Sequence, residues 1–107
     1  MTKKEIRNVL LMMGVMPNML GFNYITEGVK LISDNNNPYK TCELYKDIAN
    51  ICGVSVSRVE RNIRTIFKEK LDFELPEVKK YLIKPNMANG EYLHVLTLKI
   101  QEELEEV

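Results

Sequence analysis

Tyr45 to Lys70, YKDIANICGVSVSRVERNIRTIFKEK, is the stretch that decides the fold. Leu44, Ile48 and Ile51, spaced by four and three, predict one face of a short helix, with the small Ala49 where a second helix would need to come close. That helix should stop near Cys52. Gly53 is free to take the positive φ that ends many helices, and Ser55 can then accept a hydrogen bond from the first free amides of a second helix. At about 100° per residue, Val56, Val59, Ile63, Ile66 and Phe67 of that second helix fall in one arc roughly 100° wide and form its buried face. The pattern is a helix-turn-helix.

Opposite the apolar arc lie Ser57, Arg61, Arg64 and Lys68, with Arg58 and Thr65 at one shoulder and Glu60 at the other. These residue types suit the major groove of duplex DNA. Arginine can bond guanine O6 and N7 as a fork, glutamate can accept from cytosine N4, and lysine can meet phosphates. A plainer account is a solvated helix face helped by i, i+4 pairs such as Glu60 and Arg64. Clustering favours the first account. From Arg58 to Lys70 there are five basic residues (Arg58, Arg61, Arg64, Lys68, Lys70) and two acids (Glu60, Glu69), in a chain whose formal net charge is zero.

The octapeptide SRVERNIR at Ser57 to Arg64, preceded by YKDIA at Tyr45 to Ala49, resembles the C-terminal DNA-binding domain of the sporulation master response regulator of Bacillus and Clostridium. Gly14-Val15 followed by Pro17, then Gly21, Tyr24 and ITEGVKLI at Ile25 to Ile32, are similar to that domain's first two helices in order and spacing. The resemblance is most specific between Asp47 and Arg64 and weakest between Leu71 and Asn86. It implies an all-α domain of about six helices that binds a short promoter element, with the recognition helix near residues 55–70 in the major groove. Arg58, Glu60, Arg61 and Arg64 sit at the family's positions for bases and nearby phosphates, and Ser57 where a phosphate contact is expected. The family also has a DNA-contacting lysine just before its last helix. Counting back from Asn89-Gly90-Glu91-Tyr92 puts Asn86 there, whereas Lys84 fits with a two-residue insertion; the resemblance carries the contact over to Lys84 on that condition.

The full-length family protein places a phosphorylated receiver ahead of this domain, and 107 residues suffice for one domain of ordinary size. The expectation is a single helical DNA-binding domain over 1–107, its helix-turn-helix core at about 42–70, with no receiver. Such a chain is either an excised effector domain or a stand-alone reader; the opening MTKKEIRNVLLMMG shows no severed linker and tips the reading toward stand-alone.

Hydrophobic residues make up 45% of the chain and charged residues 28%, both ordinary for a globular domain. No apolar run approaches the roughly 20 residues that cross a bilayer, and Val9 to Met16 lacks a following cleavage site, so a cytoplasmic protein is expected. Cys42 and Cys52 are too few for a tetrahedral metal site and read as reduced packing residues. His94, the only histidine, has no ligand-spaced partners. Glu102, Glu103, Glu105 and Glu106 read as a solvated face that should point away from phosphates or meet a neighbouring subunit's basic residues. The six methionines, four of them between Met12 and Met19, read as core filling. There is no glycine-rich phosphate loop and no recognisable nucleophile and base. The chain reads as a non-enzyme with no metal and no cofactor.

The rest is scaffold. Ile6, Val9, Leu10 and Met13 predict a first helix ending at Gly14, and Tyr24, Ile25, Val29 and Ile32 a second ending near Asp34. Asn35-Asn36-Asn37-Pro38 predicts a loop, and Thr41 a cap for the next helix. Leu75-Pro76-Glu77 predicts a helix start with Val78, Tyr81 and Leu82 inward. Asn86 to Gly90 predicts a break, and Leu93, Leu96, Ile100 and Leu104 line a final helix.

These observations imply sequence-specific binding of double-stranded DNA. One helix reads only a few base pairs, so two copies are expected on repeated half-sites, as a homodimer or, following the resemblance, in tandem. A rival of another class is a helical module that keeps the fold and binds protein to modulate a related regulator; it would be expected to lose the arginines and gain apolar anchors. Single-strand binding would need exposed aromatics beside the basic residues, and the second helix has only Phe67, on its buried side.

Overall fold

The chain enters its first helix through a capping box: the Thr2 hydroxyl accepts from the Glu5 amide at 3.1 Å, and the Glu5 carboxylate accepts from the Thr2 amide at 2.7 Å. The computed structural model describes residues 1–35 and 39–105. Its helices are α1 (Lys3–Met12), α2 (Phe22–Asp34), α3 (Thr41–Cys52), α4 (Val56–Thr65), α5 (Pro76–Leu82) and α6 (Asn89–Glu105), with one π-helical turn, Ile66–Lys70, prolonging α4. No strand occurs among the described residues. The fold is all-α with six helices, as expected. The predicted loop at Asn36-Asn37-Pro38, and Glu106 of the acidic tail, lie outside the described residues.

Helix α2 is the central element, packing on α1, α3, α4 and α6. Gly28 allows close approach: a Cβ there would sit 3.0 Å from Ile48 Cδ1, which would have to shift by a few tenths of an ångström, and in ordinary contact, 3.7 Å, with both Leu93 methyls. Two buried hydroxyls on these helices are satisfied within their own turns, Thr26 donating to the Phe22 carbonyl and Thr97 to that of Leu93. The core formed here includes Ile6, Val9, Leu10, Met13, Ile25, Val29, Leu44, Ile48, Val59, Ile63, Leu93 and Leu96.

Between α3 and α4 the turn is built as the sequence predicts. Gly53 adopts φ 67°, ψ 37°, and the Val54 amide reaches back to the Ala49 carbonyl at 3.0 Å. Ser55 caps α4 by accepting from the Arg58 amide at 3.1 Å. Ser55→Ala should therefore cost about 1 kcal/mol (range about 0.5 to 2) in a denaturant melt, whereas Ser55→Asp should retain the cap.

Several apolar residues do not go where periodicity puts them. Ile51 and Val56 are exposed (53% and 40%) because each lies at the edge of its stripe, next to the turn, where no third element covers it. Leu104 is exposed near the end of α6, beyond the buried Ile100. Met13 and Met87 are core residues and Met19 packs on the core, but Met12 and Met16 are exposed on and after the last turn of α1. Cys52 packs partly against the core, whereas Cys42 is exposed on the first turn of α3 and fills nothing. Thr41 does not cap α3. Lys40 is the N-cap residue and gives no side-chain bond, while Thr41 is the first helical residue, with Gly90 of α6 against its side chain. The predicted break at Asn86 to Gly90 is shorter than expected, since α6 already starts at Asn89.

Near its C-terminal end α6 is tied to α5. The Glu103 carboxylate accepts from Lys80 Nζ at 2.6 Å and from the buried Tyr81 hydroxyl at 2.8 and 3.0 Å. The Lys80 ammonium and then the Tyr81 phenol hold the Glu103 carboxyl below its ordinary value of 4.5. A carboxyl lowered by folding contributes stability above the unfolded value and loses it as pH falls through the folded one. The Tm gap between wild type and Glu103→Gln should therefore be largest near neutral pH and shrink as the pH falls below the ordinary carboxyl value of 4.5.

Candidate nucleic-acid interface

Helix α4 divides into a dry side and a wet side. Val59 and Ile63 are fully buried, as are Ile66 and Phe67 just beyond them. Ser57, Arg58, Arg61 and Arg64 are exposed. Glu60 is half-buried and accepts from Arg64 Nη1 at 2.8 Å, so this i, i+4 pair exists as a salt bridge. Arg58 and Arg61 have no ion-pair partner among the described residues, which leaves two guanidinium groups available to an outside anion or base edge. Thr65 does not extend this polar face outward, since its hydroxyl donates to the Arg61 carbonyl at 3.0 Å.

Lys68 departs from the arginine face. The backbone widens to i→i+5 bonding at Ile66–Lys70, which changes the angle at which following side chains leave the helix. The Lys68 ammonium donates to the Met87 carbonyl at 2.7 Å and lies 5.7 Å from the centroid of the Tyr92 ring. Tyr92, wholly buried at the start of α6, uses its hydroxyl twice: it accepts from the Met87 amide at 3.2 Å and donates to the Lys84 carbonyl at 3.0 Å. The exposed Lys84 thus stands in a short connection, 83–88, fixed from below at two backbone positions. Ile83 (φ 71°) and Asn86 (φ 66°) both have positive φ in this connection.

A family model described as "Sporulation initiation factor Spo0A C terminal" matches residues 6–100. This chain belongs to that family. No curated protein and no solved structure matches the chain. Membership makes this Spo0A C-terminal-type domain a DNA-binding, transcription-regulating effector domain of the sporulation response-regulator kind, and the family is not one of enzymes.

Two contacts of this Spo0A-type domain that sequence reasoning missed set the position of α4. The Asn89 side-chain amide approaches the Glu60 carbonyl at 3.5 Å, joining the first turn of α6 to the middle of α4, and its buried Oδ1 has no hydrogen-bond partner. Burial pushes the neighbouring Tyr45 phenol up, with the Asn89 side chain opposing that shift. On another side Gly21, ahead of α2, lies so close to α4 that a built Cβ would stand 2.7 Å from the Asn62 carbonyl oxygen and 2.7 Å from Ile66 Cδ1. An asparagine directly before the glycine that opens the last helix, and a glycine that no turn requires, were the available signals.

His94 Nδ1–H donates to the Gly90 carbonyl at 2.7 Å, a bond within its own helix. No group of three His, Cys, Asp or Glu residues placed to hold a metal occurs among the described residues. No helix among them is long and apolar enough to cross a membrane.

Proposed function

We propose that this domain reads a short promoter element in double-stranded DNA, with α4 in the major groove and the domain acting as a sequence-specific transcriptional regulator in the cytoplasm. The observation that carries this reading is the pair of exposed guanidiniums of Arg58 and Arg61, without an ion-pair partner among the described residues, on a helix whose other face is buried to its last turn. Both can form bidentate bonds to guanine. Arg64 begins paired with Glu60, a pair that orients it toward the groove and leaves Glu60 to accept from cytosine if the two separate. Ser57, near the start of α4, is placed to meet a phosphate, as is Lys84.

Zero net charge limits the sequence-independent attraction to phosphates, so affinity rests on base contacts and on two copies bound in tandem. The test is a fluorescence-anisotropy titration, at near-physiological salt, of a duplex carrying two tandem family-type elements against a scrambled duplex. Preference for the tandem duplex supports the reading, and equal binding to both sinks it.

A second reading, a helical module that binds protein, draws on the exposed Leu11, Met12, Met16 and Leu20. These are adaptable apolar side chains of the kind that partners cover. It would be favoured by the absence of any DNA binding in the same titration.

A further inference from the structure

An uninterrupted α-helix would carry Lys68 on the side of Arg61 and Arg64, seven and four residues earlier, and a lysine there would be counted as a phosphate contact. Here, although the residue is exposed, its ammonium donates to the Met87 carbonyl. We propose that Lys68 is a positioning residue, whose ammonium fastens the C-terminal end of the recognition element to the 83–88 connection and so holds Lys84 in fixed relation to α4. The inference rests on the DNA-reading function proposed above.

The connection needs such a fastening. Ile83 (φ 71°, ψ −63°) sits in a γ-turn closed by the Lys84 amide on the Leu82 carbonyl at 2.8 Å, and Asn86 has φ 66°; positive φ of this kind is costly for residues with a Cβ and persists only where the surroundings over-determine it. Three further hydrogen bonds from two side chains do so here. The Tyr92 hydroxyl holds the Lys84 carbonyl and the Met87 amide, and the Lys68 ammonium holds the Met87 carbonyl at 2.7 Å. The Tyr92 ring is itself held, 4.9 Å from the ring of Phe67 in the π turn and 6.2 Å from that of Phe73. Met87 is therefore gripped at both its amide and its carbonyl, one from α6 and one from the end of α4. Met87 is buried, so moving the ammonium to a phosphate would leave its carbonyl without this donor, a cost that favours keeping the bond. The recognition face and the lysine of the connection then approach DNA as one rigid unit.

A phosphate contact and a positioning contact differ in their salt dependence. Each phosphate neutralised adds about 0.9 to the slope of log K against log salt, whereas a positioning residue adds nothing to that slope. Wild type, Lys68→Gln, Tyr92→Phe and Lys84→Gln would be titrated with the tandem and scrambled duplexes over a salt series, with amide hydrogen exchange over 83–88 measured on the free proteins. Lys68→Gln is expected to keep the wild-type slope, to bind the tandem duplex roughly two- to 150-fold more weakly, the range of coupled contacts, and to speed exchange at Met87 and its neighbours. Tyr92→Phe should behave alike, while Lys84→Gln should lower the slope by about 0.9 without faster exchange. A slope lowered by about 0.9 in Lys68→Gln, or unchanged affinity and exchange in that variant, would overturn the inference. Failure of the wild type to discriminate between the duplexes would instead overturn the DNA-reading function, and is seen independently of any variant.

Discussion

Arg61→Ala should weaken binding to a matched duplex by roughly five- to 150-fold, or about 1 to 3 kcal/mol, and leave the scrambled duplex less affected. The stability of the fold should hardly change. Arg61 is exposed, makes no ion pair among the described residues, and contributes to the structure through its carbonyl, which accepts from Thr65 and is untouched by the substitution. Alanine is also a good helix former at an exposed interior position. Arg64→Ala makes a useful contrast, since it also releases Glu60, whose carboxylate would then face the phosphates unpaired. Anisotropy titrations paired with thermal melts separate the two effects. A loss of affinity matched by a loss of Tm would mean that Arg61 serves the fold and not the contact.

Gly21→Ala should destabilise the protein by about 1 to 3 kcal/mol, the usual cost of forcing a methyl into a packed site, and should also displace α4. Its φ is ordinary, −81°, so alanine meets no backbone penalty; the cost is steric. Of the two atoms in the way, Ile66 Cδ1 ends a flexible side chain and can turn aside. The Asn62 carbonyl oxygen cannot, because it belongs to the α4 backbone. Ile66→Val in the Gly21→Ala background should therefore recover only part of the lost stability, and DNA affinity should fall further than the melt alone accounts for. Full recovery by Ile66→Val would show that the side chain was the whole obstacle and that Gly21 does not set the helix position.

How far this could be read from the sequence depended on whether one residue type had one use. Gly53 and Ser55 each do a job that few residues can do, and both do it. Val59, Ile63, Ile66 and Phe67 were legible because a helix that buries one stripe must bury its centre. Ile51, Val56 and Leu104 were not, since periodicity gives the direction a side chain points and not whether another element reaches that far. Cys42, Met12 and Met16 failed for a related reason: their types are usually buried, but helix ends lie at the surface. Of the candidate site, the arginine face could be seen directly. The fate of Lys68 could not, because no proline or glycine marks the π turn, and its partner Met87 is nineteen residues away.

Helix α6 begins against α4, through Asn89 and Glu60, and ends among acids, with Glu103 turned to α5. Its sixteen steps from Asn89 to Glu105 span about 24 Å, some three Debye lengths at physiological ionic strength. That end, where Glu103 is paired with Lys80, is thus electrically remote from the arginines, and a molecule with no net charge still carries the dipole of the helix itself. Near a polyanion such a dipole feels a torque more than a pull. On the DNA reading proposed above, that torque would turn the arginines toward the duplex, and added salt would weaken it.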